Sequence, residues 1–337
     1  MRVFVTGGNG FIGSQVVREL ARTGRHVLCL LRATSRVDRV DGVSFERAVG
    51  DVCDIESVRA PMRTCDATIH LAAPGGWDHD DPALLRAVIE DGTRNVLAVA
   101  SELPRHRVVF VSSTAAIDAS DTPTVFDERA EFTVSDPSLH YAHAKHRAEL
   151  AARAAFERGV AVVIVNPAEV YGPNDSALGT ARNLIDFAME TPVLVCHGGT
   201  SIVHVDDVAT GVVAALDRGR PGERYILGGE NLTIRQLAEL VLYVMGRRAP
   251  IVTVSNSIAR AVSRLAVALR LPLPYNPHVV PYATRYWFVD STKARRELGV
   301  TFRSARETIQ STLDWLERAG HLSRRPAELA VSSAWRP

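Results

Sequence analysis

The sequence predicts an α/β fold: a doubly wound, parallel sheet joined to a smaller, mostly C-terminal α/β lobe. Three observations predict it. Short runs of branched and aromatic residues alternate with stretches of helical spacing along the first half of the chain, the order that builds a parallel sheet. The first run leads directly into a turn with three glycines, Gly7, Gly10 and Gly13. From about Tyr171 onward the regular alternation stops, which marks a change of architecture.

Taken in order, Arg2-Val3-Phe4-Val5-Thr6 suits a buried strand. Ser14 to Arg22 then carries apolar residues at helical spacing (Val16, Val17, Leu20, Ala21). Further strands are expected at about 26–31, 43–49, 66–71, 107–111 and 161–166. Asp81-Pro82 reads as a helix cap with proline in the first turn, opening a helix to about Leu103. A second long helix is expected at about 141–158. Asp206 is read as the cap of a helix through Leu216 that packs back on the sheet. Thr233-x-x-Gln236 and Ser304-x-x-Glu307 fit capping boxes. The expected division is a nucleotide-binding domain over 1–171, with about 200–218 packing back on it. A second lobe covers 172–199 and 219–321, and a loosely ordered tail covers 322–337.

The 337 residues are 46% hydrophobic, ample for a core, and a net charge of +1 argues against a polyanion-binding surface, so no nucleic-acid partner is expected. Cys29, Cys53, Cys65 and Cys196 are scattered without metal-ligand pairs, and no metal is expected. No secretion signal is evident and no apolar stretch reaches the roughly 18 residues of a membrane-spanning helix, so a reduced, cytoplasmic protein is expected.

Strand, glycine turn and helix in succession are the context a dinucleotide fingerprint requires, the Rossmann arrangement. Glycine permits the tight turn, lets backbone approach a pyrophosphate and lets the helix pack closely on the strand. The helix N-terminus then offers free amides and a favourable dipole to the anion. The second strand, His26-Val27-Leu28-Cys29-Leu30-Leu31, ends in Arg32, where an NAD site usually places an acid to hold the ribose hydroxyls. A guanidinium pairs well with a 2′-phosphate. NADPH (NADP) is therefore the preferred cofactor, with NAD possible.

Tyr141-Ala-His-Ala-Lys145 supplies the chemistry. Residues four apart share a helix face, so the phenol and the ammonium can enter one site. A cation held nearby is expected to lower the tyrosine pKa from about 10 and fit it for proton exchange with a substrate oxygen.

On Thr6-Gly7-x-x-Gly10-x-x-Gly13 and Tyr141-x-x-x-Lys145, the chain resembles the extended short-chain dehydrogenase/reductase family, part of the NAD-dependent epimerase/dehydratase superfamily. Further matching segments are Gly50-Asp51-Val52, Leu71-Ala72-Ala73, Gly92-Thr93-Arg94-Asn95, Val111-Ser112-Ser113-Thr114, Asn166-Pro167-Ala168-Glu169-Val170-Tyr171 and Asp290-Ser291-Thr292-Lys293. Within the family the chain is similar to the dihydroflavonol-reductase-like branch. The stretches from Val203 to Val208 and from Gly222 to Thr233 resemble hopanoid-associated sugar epimerases.

The resemblance implies cofactor contacts at Gly7, Gly10, Phe11, Ile12, Gly13, Arg32, Asp51, Val52, Leu71, Ala72, Ala73, Lys145 and Pro167. It implies catalysis by Ser113, Tyr141 and Lys145, with Ser112 or Thr114 in place of Ser113 if the alignment slips by one. The expected activity is NADPH-dependent hydride transfer interconverting a carbonyl and an alcohol on a small molecule. The rivals are an NAD-dependent nucleotide-sugar epimerase or dehydratase and a non-catalytic NADPH-binding protein. The family also implies a homodimer through the helices at about 82–103 and 141–158, where Ala144, Ala148, Ala151, Ala152 and Ala155 would permit close packing. In the second lobe, Tyr275, Tyr282, Tyr286 and Trp287 give aromatic character without a decisive polar code.

Three further features invite a functional reading. His140, His143 and His146 suggest a metal, but their spacing spreads them around a helix without acid or thiolate partners. Ser257 to Leu271 is an apolar, basic helical stretch (Ile258, Val262, Leu265, Leu269), read as a lid or core helix rather than a membrane contact. His204 either reaches substrate or is a satisfied histidine on a strand.

Overall fold

The computed structural model describes residues 1–75, 81–269 and 277–323. Seven strands form the large sheet: β1 (Arg2–Thr6), β2 (His26–Leu31), β3 (Glu46–Val49), β4 (Ala67–His70), β5 (Arg107–Val111), β7 (Ala161–Pro167) and β11 (Arg224–Leu227). Their spatial order is β3-β2-β1-β4-β5-β7-β11 and every pairing is parallel. The order reverses beside β1, so a crevice opens above β1 and β4 at the carboxyl ends of the strands. The inner strands are near-continuous apolar runs, as expected of a sheet covered on both faces, whereas the edge strand β3 carries Glu46 and Arg47 and is largely exposed.

One face is covered by α1 (Phe11–Arg22) and α7 (Val205–Arg218), around Val16, Val17, Leu20, Val208 and Val212. The other is covered by α2 (Ile55–Met62), α4 (Gly92–Ser101) and α5 (His140–Glu157), around Met62, Val96, Ala148 and Ala152. The helix expected over 82–103 consists of α3 (Pro82–Leu85), a π-helical segment (Arg86–Asp91) and α4, and Asp81 caps it by accepting from the Ala83 amide.

The smaller sheet runs β12 (Glu230–Thr233), β10 (Gly199–His204), β14 (Tyr286–Val289), β6 (Val125–Phe126), with β8 (Glu169–Tyr171) alongside β10. A two-stranded piece pairs β9 (Val193–Cys196) with β13 (Ile251–Val254). Helices α6 (Ala181–Met189), α8 (Ile234–Val244) and α12 (Ala305–Arg318) pack there around Leu184, Leu237, Val241, Ile309 and Leu313. The remaining helices are α9 (Asn256–Leu269), α10 (Val280–Ala283) and α11 (Thr292–Leu298).

Two placements differ from the sequence expectation. Strand β11 lies within the stretch assigned to the second lobe, yet it pairs with β7 as the edge of the large sheet. Helix α7 is capped by His204, whose side chain accepts from the Asp206 amide, and not by Asp206. Both capping boxes, at Thr233/Gln236 and Ser304/Glu307, form with reciprocal hydrogen bonds. Tyr275 and most of the 322–337 tail lie outside the described residues.

Candidate active site

The glycine turn sits at the top of β1, at the reversal point of the sheet. Gly7 has φ +71°, a conformation that favours glycine. A side-chain carbon at Gly7 would stand 2.9 Å from the Ala72 nitrogen, and one at Gly13 would stand 2.0 Å from the Gly7 carbonyl oxygen. The turn is therefore folded onto its own helix and onto the loop after β4, bringing Gly7 to Gly13 together with Leu71, Ala72 and Ala73. Gly10 caps α1 without any side-chain hydrogen bond, so the first-turn amides at Phe11 and Ile12 are left for an anion. This cradle, which a single methyl group would fill, fits a dinucleotide pyrophosphate.

The loop after β4 is tied down by a buried histidine that sequence reasoning missed. His70 Nδ1 lies 2.6 Å from the Thr6 hydroxyl and Nε2 lies 3.0 Å from the Thr93 hydroxyl. Burial, with Lys145 adding repulsion, pushes its pKa down to about 3, so the ring is neutral.

Asp51 follows β3 and accepts from the Cys53 amide at 3.0 Å. Val52 packs on Gly92, and its carbonyl accepts from Asn95 Nδ2 at 2.8 Å. Arg32 directly follows β2 and has an exposed side chain. The Arg47 guanidinium donates to the Arg32 and Ala33 carbonyls at 2.8 and 3.1 Å, fixing this loop. Asn9 in the glycine turn donates to the Arg36 carbonyl at 3.0 Å and joins the two loops. Pro167 closes β7 in the same sheet.

Ser113, Tyr141 and Lys145 converge between β5 and α5. Ser113 follows β5 and caps a short 3₁₀ turn, its hydroxyl oxygen accepting from the Ala115 amide at 3.1 Å. The same hydroxyl stands near enough to the Tyr141 phenol to oppose the rise in its pKa. Of the three neighbouring hydroxyls, Ser113 is the one that acts on the tyrosine; the Ser112 hydroxyl is buried without a hydrogen-bond partner among the described residues. Lys145 is buried, with Nζ donating to the Val111 carbonyl at 3.0 Å and standing 5.8 Å from the Tyr141 ring centre.

The electrostatics differ from expectation. Burial pushes the Tyr141 pKa up to about 12, opposed only by the Ser113 hydrogen bond. The ammonium, aimed at Val111, does not bring the phenol below its ordinary value. Burial also lowers Lys145 to about 8, with the Glu149 carboxylate opposing. A small apolar group borders Tyr141, comprising Ala115, Val134, Leu139, Ala142 and Trp287 with Phe132 and Tyr282 packed on it. The Ala142 amide donates to the Tyr282 hydroxyl at 3.4 Å.

The other features resolve structurally. His204 is buried at the start of α7, with Nε2 3.1 Å from the Ser311 hydroxyl and Nδ1 facing Arg303 at 3.0 Å. It is a satisfied histidine. His146 stacks on Phe132 at 4.3 Å and His143 donates to the Asp136 carbonyl. Among the described residues no His, Cys, Asp and Glu grouping could hold a metal. Helix α9 is not a core helix: Ile258, Val262, Leu265 and Leu269 are all exposed. No described helix is long and apolar enough to cross a membrane.

With this geometry in view, residues 3–228 match the NAD dependent epimerase/dehydratase family. The chain belongs to that family. It is similar to a 4-hydroxy-2-methyl-3-oxo-4-farnesyl-3,4-dihydroquinoline-1-oxide ketoreductase of Stigmatella aurantiaca, 31% identical, the alignment covering 95% of this chain and 97% of the relative. Among solved structures it is similar to gox2253 (TM-score 0.82, 31% identity, 95% and 99% covered). It is also similar to DesIV, a dTDP-glucose 4,6-dehydratase of Streptomyces venezuelae with NAD bound (TM-score 0.75, 25% identity, 94% and 97% covered). The protein is thus an NAD(P)-dependent oxidoreductase of the extended short-chain dehydrogenase/reductase type, acting on CH–OH groups.

Proposed function

We propose that the protein is an NADPH-dependent carbonyl reductase for an apolar small molecule. The observation that carries this reading is the meeting of Ser113, Tyr141 and Lys145 beside a cradle that fits the pyrophosphate. A nicotinamide dinucleotide, when bound, supplies the hydride. It would be held by the amides of the Gly7–Gly13 turn, by Asp51, Val52, Leu71 to Ala73 and Pro167, and at its 2′-phosphate by Arg32. Arg47 keeps the Arg32 loop in place.

Tyr141 gives its hydroxyl proton to the substrate carbonyl oxygen, and Ser113 hydrogen-bonds the oxygen as it gains charge, a contact worth about 3–4 kcal/mol in comparable sites. Lys145 provides the neighbouring positive charge. Leu139, Trp287 and Tyr282 border the tyrosine with carbon surface, which supports an apolar substrate over a nucleotide sugar. The resemblance to a ketoreductase points the same way. The segment from about Tyr171 onward, apart from α7 and β11, forms the proposed substrate lobe, and the working form is proposed to be a homodimer.

Tyr141→Phe tests the reading. It removes the transferable proton and leaves the ring, so turnover is expected to fall about 10²–10⁴-fold. NADPH binding by fluorescence should remain nearly unchanged. Wild-type turnover in this variant would overturn the mechanism.

A further inference from the structure

Behind Lys145 lies a buried polar chain that the three-residue mechanism does not use. Glu149 follows Lys145 by four residues on the same face of α5 and is 2% exposed. Its Oε1 accepts from Asn166 Nδ2 at 2.5 Å, and the same Asn166 nitrogen donates to the Ser113 carbonyl at 2.9 Å. Its Oε2 faces Arg224 Nη1 at 3.5 Å. Arg224 is itself buried and also donates to the Glu128 and Ala130 carbonyls. Asn166 thus ties the backbone of Ser113 to Glu149, while the carboxylate faces Arg224 and follows Lys145 by one turn of α5.

We propose that Glu149 is a positioning residue of this site: it fixes Ser113 through Asn166 and holds Lys145 in its charged form. The proposal rests on the reading of Ser113, Tyr141 and Lys145 given above. Burial pushes the Glu149 carboxyl above its ordinary range, with Ser112, Arg224 and Asn166 opposing; its two oxygens face the N–H groups of Asn166 and Arg224, the surroundings of an ionised acid. A buried arginine, which keeps its proton, needs that counter-charge. The charged and titratable groups facing this pair are few. Lys145 is influenced by Glu149 on its own helix and faces His70 from β4 and Tyr141, both neutral. Glu149 is influenced by Arg224 from β11 and Arg153 one turn further along α5, with Ser112 nearby and Asn166 as its uncharged hydrogen-bond partner. Burial works against the Lys145 ammonium, and Glu149 alone opposes it.

The composition sharpens the point. Of 39 lysines and arginines only two, Lys145 and Lys293, are lysines. At the site the chain keeps the amine, whose proton affinity a neighbour can adjust.

Two lysines also make the test clean. Protein grown with ¹³Cε-lysine gives two side-chain resonances, and Lys293→Arg identifies the Lys145 signal. Its titration midpoint is expected near 8 in wild type, matching the value to which burial brings Lys145. In Glu149→Gln, which keeps the shape and removes the charge, the midpoint should fall by at least about half a pH unit. In Glu149→Asp, which keeps the charge on a shorter stem, it should stay within a few tenths of wild type. The alkaline limb of kcat/KM should move with the midpoint. If Glu149→Gln does not fold, Arg224→Gln removes the cation that favours the Glu149 carboxylate, and the midpoint should fall.

An unmoved midpoint in Glu149→Gln, or in Arg224→Gln where that variant substitutes, would overturn the proposal, as would an equal fall in Glu149→Asp. The resonance reports without turnover, so it separates the two readings. An active Tyr141→Phe with a shifted Lys145 midpoint sinks the reductase mechanism alone. An inactive Tyr141→Phe with an unmoved midpoint sinks this inference alone.

Discussion

Lys145→Met should make the protein more stable and less active, and the gain in stability should depend on pH. Lys145 is 3% exposed. Its environment lowers the amine from its ordinary 10.5 to about 8. At about 1.4 kcal/mol for each pH unit, carrying the ammonium into the fold costs about 3 kcal/mol. Methionine keeps a linear stem of similar length and removes the charge. The Val111 carbonyl loses its donor, worth about 1 kcal/mol, which leaves a net gain of about 1–2 kcal/mol at pH 7.

Below about pH 8 the lysine is charged in both the folded and the unfolded wild type, and the cost is present in full. Between about 8 and 10.5 the unfolded chain still holds the proton that the folded protein has released. Stability then rises with pH and the cost fades. The advantage of Lys145→Met should therefore shrink by roughly 1 kcal/mol between pH 8 and pH 9. Cys29, Cys53 and Cys196 are pushed up to about 12, 11 and 11 by burial and act in the opposite direction. They are present in both proteins and cancel in the difference. Urea unfolding of both proteins at pH 7, 8 and 9 measures it. A destabilised variant at pH 7, or an advantage that does not change with pH, would refute the reasoning.

Two other outcomes follow from the placement of Arg32 and of the long helices. Arg32→Asp should weaken NADPH far more than NADH, because a carboxylate repels the 2′-phosphate yet can accept from a free ribose hydroxyl. One charge-assisted hydrogen bond is worth roughly 1.5–3 kcal/mol, so the preference should change about ten- to a hundredfold, and an unchanged ratio of dissociation constants would remove Arg32 from the site. The proposed homodimer through α3, α4 and α5 should sediment as such at micromolar concentration, and a monomer there would refute it.

The reason first given for that dimer does need replacing. Ala144, Ala148, Ala152 and Ala155 are all buried in the chain's own core, leaning on the large sheet. Small residues at helical spacing show only that something approaches closely; here it is β7 and α4. The outward apolar residues are Leu84, Leu150 and Phe156, 37%, 50% and 42% exposed, and they are the better candidates for a contact.

The glycine turn and the strands were legible because each rests on a local rule: spacing, branching, or a steric limit at one residue. The strand starts and ends were reached within a few residues for the same reason. Strand β11 was missed because its parallel partner β7 lies about 60 residues away, and nothing local distinguishes an edge strand of one sheet from a strand of another. His204 outcompeted Asp206 as the cap of α7 through an imidazole acceptor, outside the usual capping residues. His70, Asn166 and Arg224 gain their roles only through partners distant in sequence. Glu149 did carry a signal, since it repeats the four-residue step from Tyr141 to Lys145. Helical spacing gives the shared face but not the burial that makes the carboxylate matter.

The raised tyrosine bears on when the proton moves. A phenol near 12 is a poor acid toward a neutral carbonyl, so Tyr141 keeps its proton while substrate binds. The balance changes as the carbonyl oxygen gains negative charge, because that oxygen is then a far stronger base than the one the site first met. Transfer is thereby tied to the arrival of hydride and does not precede it. Ser113, which already acts to lower the phenol, can stabilise the phenolate that remains, and the Lys145 charge lowers the cost of leaving it in a dry site. An amine near 8 is charged at neutral pH only by a narrow margin. Whatever holds that proton on Lys145 consequently governs the rate, and within the described surroundings the group placed to do so is the carboxylate of Glu149.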